Sequence, residues 1–134
     1  MESPVIIVSD DDPLVVNALT RLATKAGLWV VPDTHSQVSA LARMVEPTVI
    51  ILDINQGVNG LDLLAALKAS PETRDCPVIM CTAHGDAAMR KRAFELGAEG
   101  FELKPVEMPF ILGLVRRAGE IARQRHLMSL KAEA

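Results

Sequence analysis

The chain has no tyrosine, one tryptophan and three phenylalanines in 134 residues, so it has little with which to stack a planar cofactor. A flavin-binding module would want aromatic side chains around its ring and a phosphate-cradling loop, and this composition argues against one. The two cysteines, Cys76 and Cys81, lack the CxxC spacing of redox or zinc sites. Cys81 sits inside an apolar run and reads as a buried reduced thiol, whereas the sequence leaves Cys76 open. His35 and His126 have no neighbours that suggest a metal site. No apolar stretch approaches the length that crosses a bilayer. The opening Met1-Glu2-Ser3-Pro4 has no basic segment followed by an apolar one, so it does not read as a secretory signal, and a soluble, cytoplasmic protein is the expectation. The net charge of −3 is too mild for an electrostatic nucleic-acid binder, despite the basic residues Arg116, Arg117, Arg123, Arg125 and Lys131.

What the chain does have is a set of short apolar runs, Val5-Ile6-Ile7-Val8, Val49-Ile50-Ile51-Leu52 and Val78-Ile79-Met80-Cys81, separated by segments with apolar residues at three- and four-residue spacing. That alternation predicts a βα repeat around a parallel sheet. Leu28-Trp29-Val30-Val31 and Gly100-Phe101-Glu102-Leu103 complete five strands. Asp12-Pro13 supplies an N-cap and a first-turn proline for a helix with Leu14, Leu19, Leu22 and Ala23 on one face, ended by Gly27. Ser36 is read as the cap of a short second helix carrying Val38, Leu41, Ala42 and Val45. A third helix follows a loop bracketed by Gly57 and Gly60, a fourth starts at Gly85-Asp86 and closes at Gly97, and a last begins near Glu107-Met108-Pro109 and runs to about residue 130. The predicted fold is α/β, a (βα)5 doubly wound, flavodoxin-like parallel sheet of order 2-1-3-4-5, because right-handed crossovers leave few alternatives.

In such a sheet ligands bind outside the carboxyl ends of the strands. Asp10, Asp11, Asp53, Thr82 and Lys104 each fall just after one of the runs, so all five converge on that edge. Converging carboxylates are costly unless a cation shares them, and Mg²⁺ takes carboxylate oxygens while leaving room for phosphate. Asp53 stands alone after the central run and is the candidate nucleophile, since carboxylates form acyl phosphates in enzymes. Phosphoryl transfer passes through a loose, charge-rich transition state, and Mg²⁺ with Lys104 would supply positive charge to it. The Thr82 hydroxyl can donate to a phosphoryl oxygen. Each residue also has a plainer role: Asp12 caps a helix, Thr82 is a turn residue, Lys104 lies at the surface and Phe101 packs in the core. The exposed loop position of His84 fits solvent as well as a site.

The order and spacing of Asp10-Asp11, Asp12-Pro13, Leu52-Asp53, Thr82-Ala83, Phe101 and Lys104-Pro105 make the chain resemble a receiver domain of two-component response regulators, over roughly residues 4–120. The resemblance implies that Asp53 accepts a phosphoryl group from a sensor histidine kinase or phosphotransfer protein, with Mg²⁺ as cofactor. It implies that Asp11, Asp53 and the backbone carbonyl of Asn55 ligate the metal, with Asp10 reaching it through water. Thr82 and Phe101 would be the switch pair, Lys104 the phosphoryl contact, and the bond before Pro105 cis. The output would be a changed face of the fourth helix, fifth strand and fifth helix, read by a downstream protein, an output domain or a second copy in a homodimer. The chain would be a regulatory protein and not an enzyme in its own right.

The departure from that pattern lies between Asp53 and Gly60, where receivers usually carry one more residue, commonly with a proline, and this chain reads Ile54-Asn55-Gln56-Gly57-Val58-Asn59. A shorter loop either displaces the Asn55 carbonyl or lets the next helix start earlier. The rival reading is therefore a pseudo-receiver, a protein-interaction module that is not phosphorylated. A phosphatase of the haloacid dehalogenase type would want an acid two residues after its nucleophile, where this chain has Asn55. Residues 1–120 are read as the receiver domain and 121–134 as a C-terminal extension of the last helix, a tail or linker. Ile111, Leu114, Ala118, Ile121 and Met128 follow roughly heptad spacing there, interrupted by Arg125.

Overall fold

The protein is described by a computed structural model covering residues 4–133. The strands are β1 Val5–Ser9, β2 Trp29–Asp33, β3 Val49–Asp53, β4 Val78–Thr82 and β5 Gly100–Leu103. The helices are α1 Pro13–Lys25, α2 Val38–Val45, α3 Gly60–Ala69, α4 Ala87–Glu95 and α5 Met108–Glu133. All strand pairs are parallel and the sheet order is β2-β1-β3-β4-β5, as the alternation of runs predicts.

Side chains alternate across each strand, and the two faces bury different helices. On one face Ile6, Val8, Val49, Ile51 and Cys81 pack with Val16, Leu19 and Ala23 of α1 and Ile111, Leu114 and Ala118 of α5. On the other, Ile7, Ile50, Leu52, Met80 and Phe101 pack with Val38 and Ala42 of α2, Leu64 and Leu67 of α3, and Ala93 of α4. All five residues of β3 are buried, which makes it the axis of the molecule and explains its unbroken apolar run. Edge strand β2 carries Pro32, which cannot donate to another strand.

Two local expectations are corrected. Leu14 does not join the buried face of α1; it is 78% exposed, and Val16 takes the inward position instead. The cause is helical spacing: Val16, Leu19 and Ala23 follow one another at three and four residues and share the inward face, which puts Leu14 on the opposite side. Ser36 does not cap α2. It adopts a left-handed φ of 55°, the N-cap position is Gln37, and the carboxylate of Asp33 takes the N–H groups of His35 and Gln37. The Ser36 hydroxyl turns to Gln56. Cys76 is buried, with its thiol 3.4 Å from the Pro47 carbonyl. Arg125 leaves the heptad stripe of α5 and donates to the carbonyls of Glu46 and Pro47 at 3.3 and 3.1 Å.

Candidate functional site

The ladder continues past the strand ends and fixes the site residues. The Asp10 N–H donates to the Asp33 carbonyl at 2.9 Å, and the Lys104 N–H donates to the Thr82 carbonyl at 2.8 Å. Asp10 and Lys104 thus continue the backbone ladder one residue beyond the strand ends. The Lys104-Pro105 peptide is cis.

Between these ends the charged groups meet. Lys104 Nζ pairs with Asp10 Oδ2 and lies 3.2 Å from Asp53 Oδ1. Asp10 Oδ1 accepts the Asp12 N–H at 2.9 Å. Asp10 and Asp53 are buried, and Asp11 is exposed at the mouth. One oxygen from each of the three carboxylates lies within 4.8 Å of the others. Burial raises the Asp53 carboxyl above the ordinary carboxylate range and the charge of Asp10 raises it further, while Lys104 and the Asn55 N–H pull it back. Burial would lower Lys104, but its hydrogen bond to Asp10 and the charges of Asp53 and Asp10 outweigh that and raise it. Three carboxylates facing one ammonium leave excess negative charge on hard oxygen donors, which is what a small divalent cation neutralises. The donor set therefore fits Mg²⁺, with Asp10, Asp11 and Asp53 as the side chains able to hold it.

Thr82 is buried beside these groups at the end of β4. Its hydroxyl donates to the His84 carbonyl at 3.2 Å and accepts from Asn55 Nδ2 at 3.3 Å. Phe101 is 8% exposed and points inward. A Cβ on Gly85 would come within 2.7 Å of its Cζ and 3.1 Å of Thr82 Cγ2, so the bare Gly85 roofs the Phe101 ring next to Thr82. His84 is exposed. An open depression lined by Asn55, Ala83, His84, Gly85, Asp86, Met89 and Leu103 lies over this side of the site.

The six residues between β3 and α3 close as a compact loop. Asn55 and Asn59 form an antiparallel bridge, the Gly60 N–H donates to the Ile54 carbonyl at 2.7 Å, and the Asn59 side chain caps α3 through the Leu61 N–H at 2.9 Å. A Cβ on Gly60 would lie 2.2 Å from the Asp53 carbonyl oxygen, so only glycine permits the loop to fold so close to the strand end. Sequence reasoning missed Gln56, whose amide donates to the Asp53 carbonyl at 2.9 Å and accepts from the Ser36 hydroxyl at 2.8 Å. The Ser36 partner that fixes its orientation lies 20 residues away in the turn after β2, so no local pattern marked it.

The response regulator receiver domain family profile matches residues 5–116. Over 120 residues and 88% of its length the chain is 35% identical to the C4-dicarboxylate transport transcriptional regulatory protein DctD of Pseudomonas aeruginosa, covering 26% of that protein. It is 34% identical to the response regulator protein TodT of Pseudomonas putida, covering 90% of this chain and 53% of that one. The chain thus spans about a quarter to a half of the length of these relatives. Among solved structures, a putative response regulator from Chloroflexus aurantiacus aligns with a TM-score of 0.79 at 25% identity, over 90% of this chain and 99% of that one.

Proposed function

The chain belongs to the receiver domains of response regulators, and from that premise we propose that it is a phosphorylation-controlled signalling switch whose acceptor is Asp53. The observation that carries this reading is the pairing of Lys104 with both Asp10 and Asp53 at the head of the buried central strand. The donor is a phosphohistidine on a sensor kinase or phosphotransfer protein. An Asp53 carboxylate oxygen attacks phosphorus, the P–N bond breaks, and its electron pair leaves on the imidazole nitrogen, which takes a proton. Lys104 holds Asp53 Oδ1 and stays beside the new acyl phosphate as a counter-charge. Asp10, Asp11, Asp53 and the Asn55 carbonyl are the ligands proposed for Mg²⁺, which when bound neutralises charge on the transferred phosphoryl oxygens. Water returns Asp53 and inorganic phosphate by cleaving the acyl phosphate.

The Thr82 hydroxyl reports the modification by leaving the His84 carbonyl for a phosphoryl oxygen, and Phe101 beside it couples that movement to the surface. The output face is α4-β5-α5, where Phe94, Leu103 and Leu112 stay exposed as apolar contacts. A downstream protein, an output domain or a second copy would read it. Residues beyond about 120 serve as a tail or linker, and the setting is the cytoplasm. Among the described residues no helix is long and apolar enough to cross a membrane.

The test is intact mass after incubation with acetyl phosphate, with and without Mg²⁺. Gain of one phosphoryl group only when Mg²⁺ is present supports the switch. No gain from acetyl phosphate or from a phosphohistidine donor would leave the pseudo-receiver reading in its place.

A further inference from the structure

We infer that Gln56 is a positioning residue that sets the Asn55 carbonyl and thereby the divalent-cation affinity of the site, an inference that rests on the metal site proposed above. The amide orientation of Gln56 is fixed by its surroundings. Nε2 donates to the Asp53 carbonyl at 2.9 Å, and Oε1 accepts the Ser36 hydroxyl at 2.8 Å. Turned over, the amide would set two carbonyl oxygens against each other at Asp53. The Ser9 hydroxyl proton is committed to Asp33 Oδ2 at 2.8 Å, closer than its 3.5 Å approach to Gln56 Oε1. A charged acceptor at the shorter distance wins that proton. Ser9 Oγ then offers a lone pair to Gln56 Nε2 at 3.4 Å. Asp33 is itself held by the N–H groups of His35 and Gln37. One side chain thus ties the β3-α3 loop to β1 and to the turn after β2.

The tie falls where it matters. It grips the peptide that leaves Asp53 and returns at residue 56, so Ile54 and Asn55 form a bow fixed at both ends. Asn55 is the exposed apex of that bow, and its N–H faces the Asp53 carboxylate. On the far side the loop is held by the Asn55-Asn59 bridge and the Gly60 N–H, and the Asn55 side chain donates to the Thr82 hydroxyl at 3.3 Å, so Gln56 is the tie on the Asp53 side. Removing the amide frees the Asn55 peptide to rotate while leaving strands and helices packed. Partners that orient a metal ligand from behind typically change affinity by about 10- to 100-fold.

The test measures Mn²⁺ binding to unphosphorylated protein by electron paramagnetic resonance, with Mn²⁺ as the probe for the Mg²⁺ site. Gln56→Met keeps the length and bulk of the side chain and removes only the amide. It should weaken Mn²⁺ binding about tenfold, with the thermal midpoint in metal-free buffer shifted by no more than a few degrees. Ser36→Ala, which removes the hydroxyl that orients the amide, should weaken binding in the same direction by less. Wild-type Mn²⁺ affinity in Gln56→Met overturns the inference while leaving the metal site standing. If Gln56→Met loses its fold, Ser36→Ala decides, and wild-type affinity there overturns the inference. Absence of Mn²⁺ binding in the wild type takes down the metal site and the inference together.

Discussion

Asp53 carries a cost that its proposed role as acceptor explains. Burial and the neighbouring Asp10 hold its carboxyl above the ordinary carboxylate range. An acid whose value is raised in the folded state loses stability for the fold as pH climbs from the unfolded value, about 3.9, through the folded one. Asp53→Asn removes that burden along with the nucleophile. It should therefore take up no phosphoryl group and melt a few degrees higher at neutral pH, with the gap from wild type narrowing toward pH 4, as calorimetry across pH would record. Lys104 has the opposite sign: its raised value means that its contribution is whole below the ordinary lysine range and lost as pH rises through the folded value. Lys104→Ala leaves Asp10 and Asp53 facing without a counter-charge, and should cost about 1–3 kcal/mol, measured by urea unfolding. Mg²⁺ should restore more stability to that variant than to the wild type, because the ion takes over the charge that Lys104 balanced.

At the scale of elements, the loop between β3 and α3 decides whether the proposed acceptor is framed. Gly60→Ala places a Cβ against the Asp53 carbonyl, and overpacking of this kind costs roughly 1–3 kcal/mol or more; urea unfolding should show that loss, with weakened Mg²⁺ binding beside it. A Gly60→Ala variant as stable as wild type would contradict the tight closure of this loop. The strands and helices were legible in the sequence because their signals are local. Asp12-Pro13 states both cap and first turn, and the β3 run is apolar throughout because both of its faces are covered. Ser36 misled because a serine before an apolar stretch looks like a cap, whereas its hydroxyl goes to Gln56 and the Asp33 carboxylate holds the N–H groups of His35 and Gln37 that lead into the helix. Gln56 was hidden for a related reason. Its partners Ser36 and Ser9 lie 20 and 47 residues away, and nothing nearby in sequence reveals that they meet.

At the scale of the whole molecule, the sheet separates chemistry from packing: polar groups gather at the carboxyl ends of the strands while two apolar layers enclose the rest. This was readable from the runs and the residues that follow them, since a parallel sheet brings all strand ends to one edge. The thiols belong to the packed part. Burial pushes Cys76 up to about 11 and Cys81 up to about 12, so both stay protonated at neutral pH. Native protein at pH 8 should resist iodoacetamide at both positions and react fully once unfolded in urea. The unfolded thiols ionise from about pH 8.5 while the folded ones do not, so stability should fall as pH rises through that window.

The central claim is that Asp53 becomes an acyl phosphate, and borohydride reduction followed by peptide mass mapping tests it most directly, since hydride converts that group to the alcohol of homoserine. After Mg²⁺ and acetyl phosphate, homoserine should appear at position 53 and at no other carboxylate. Aspartate retained at 53 with the phosphoryl group found elsewhere, or no reducible group at all, would contradict the account.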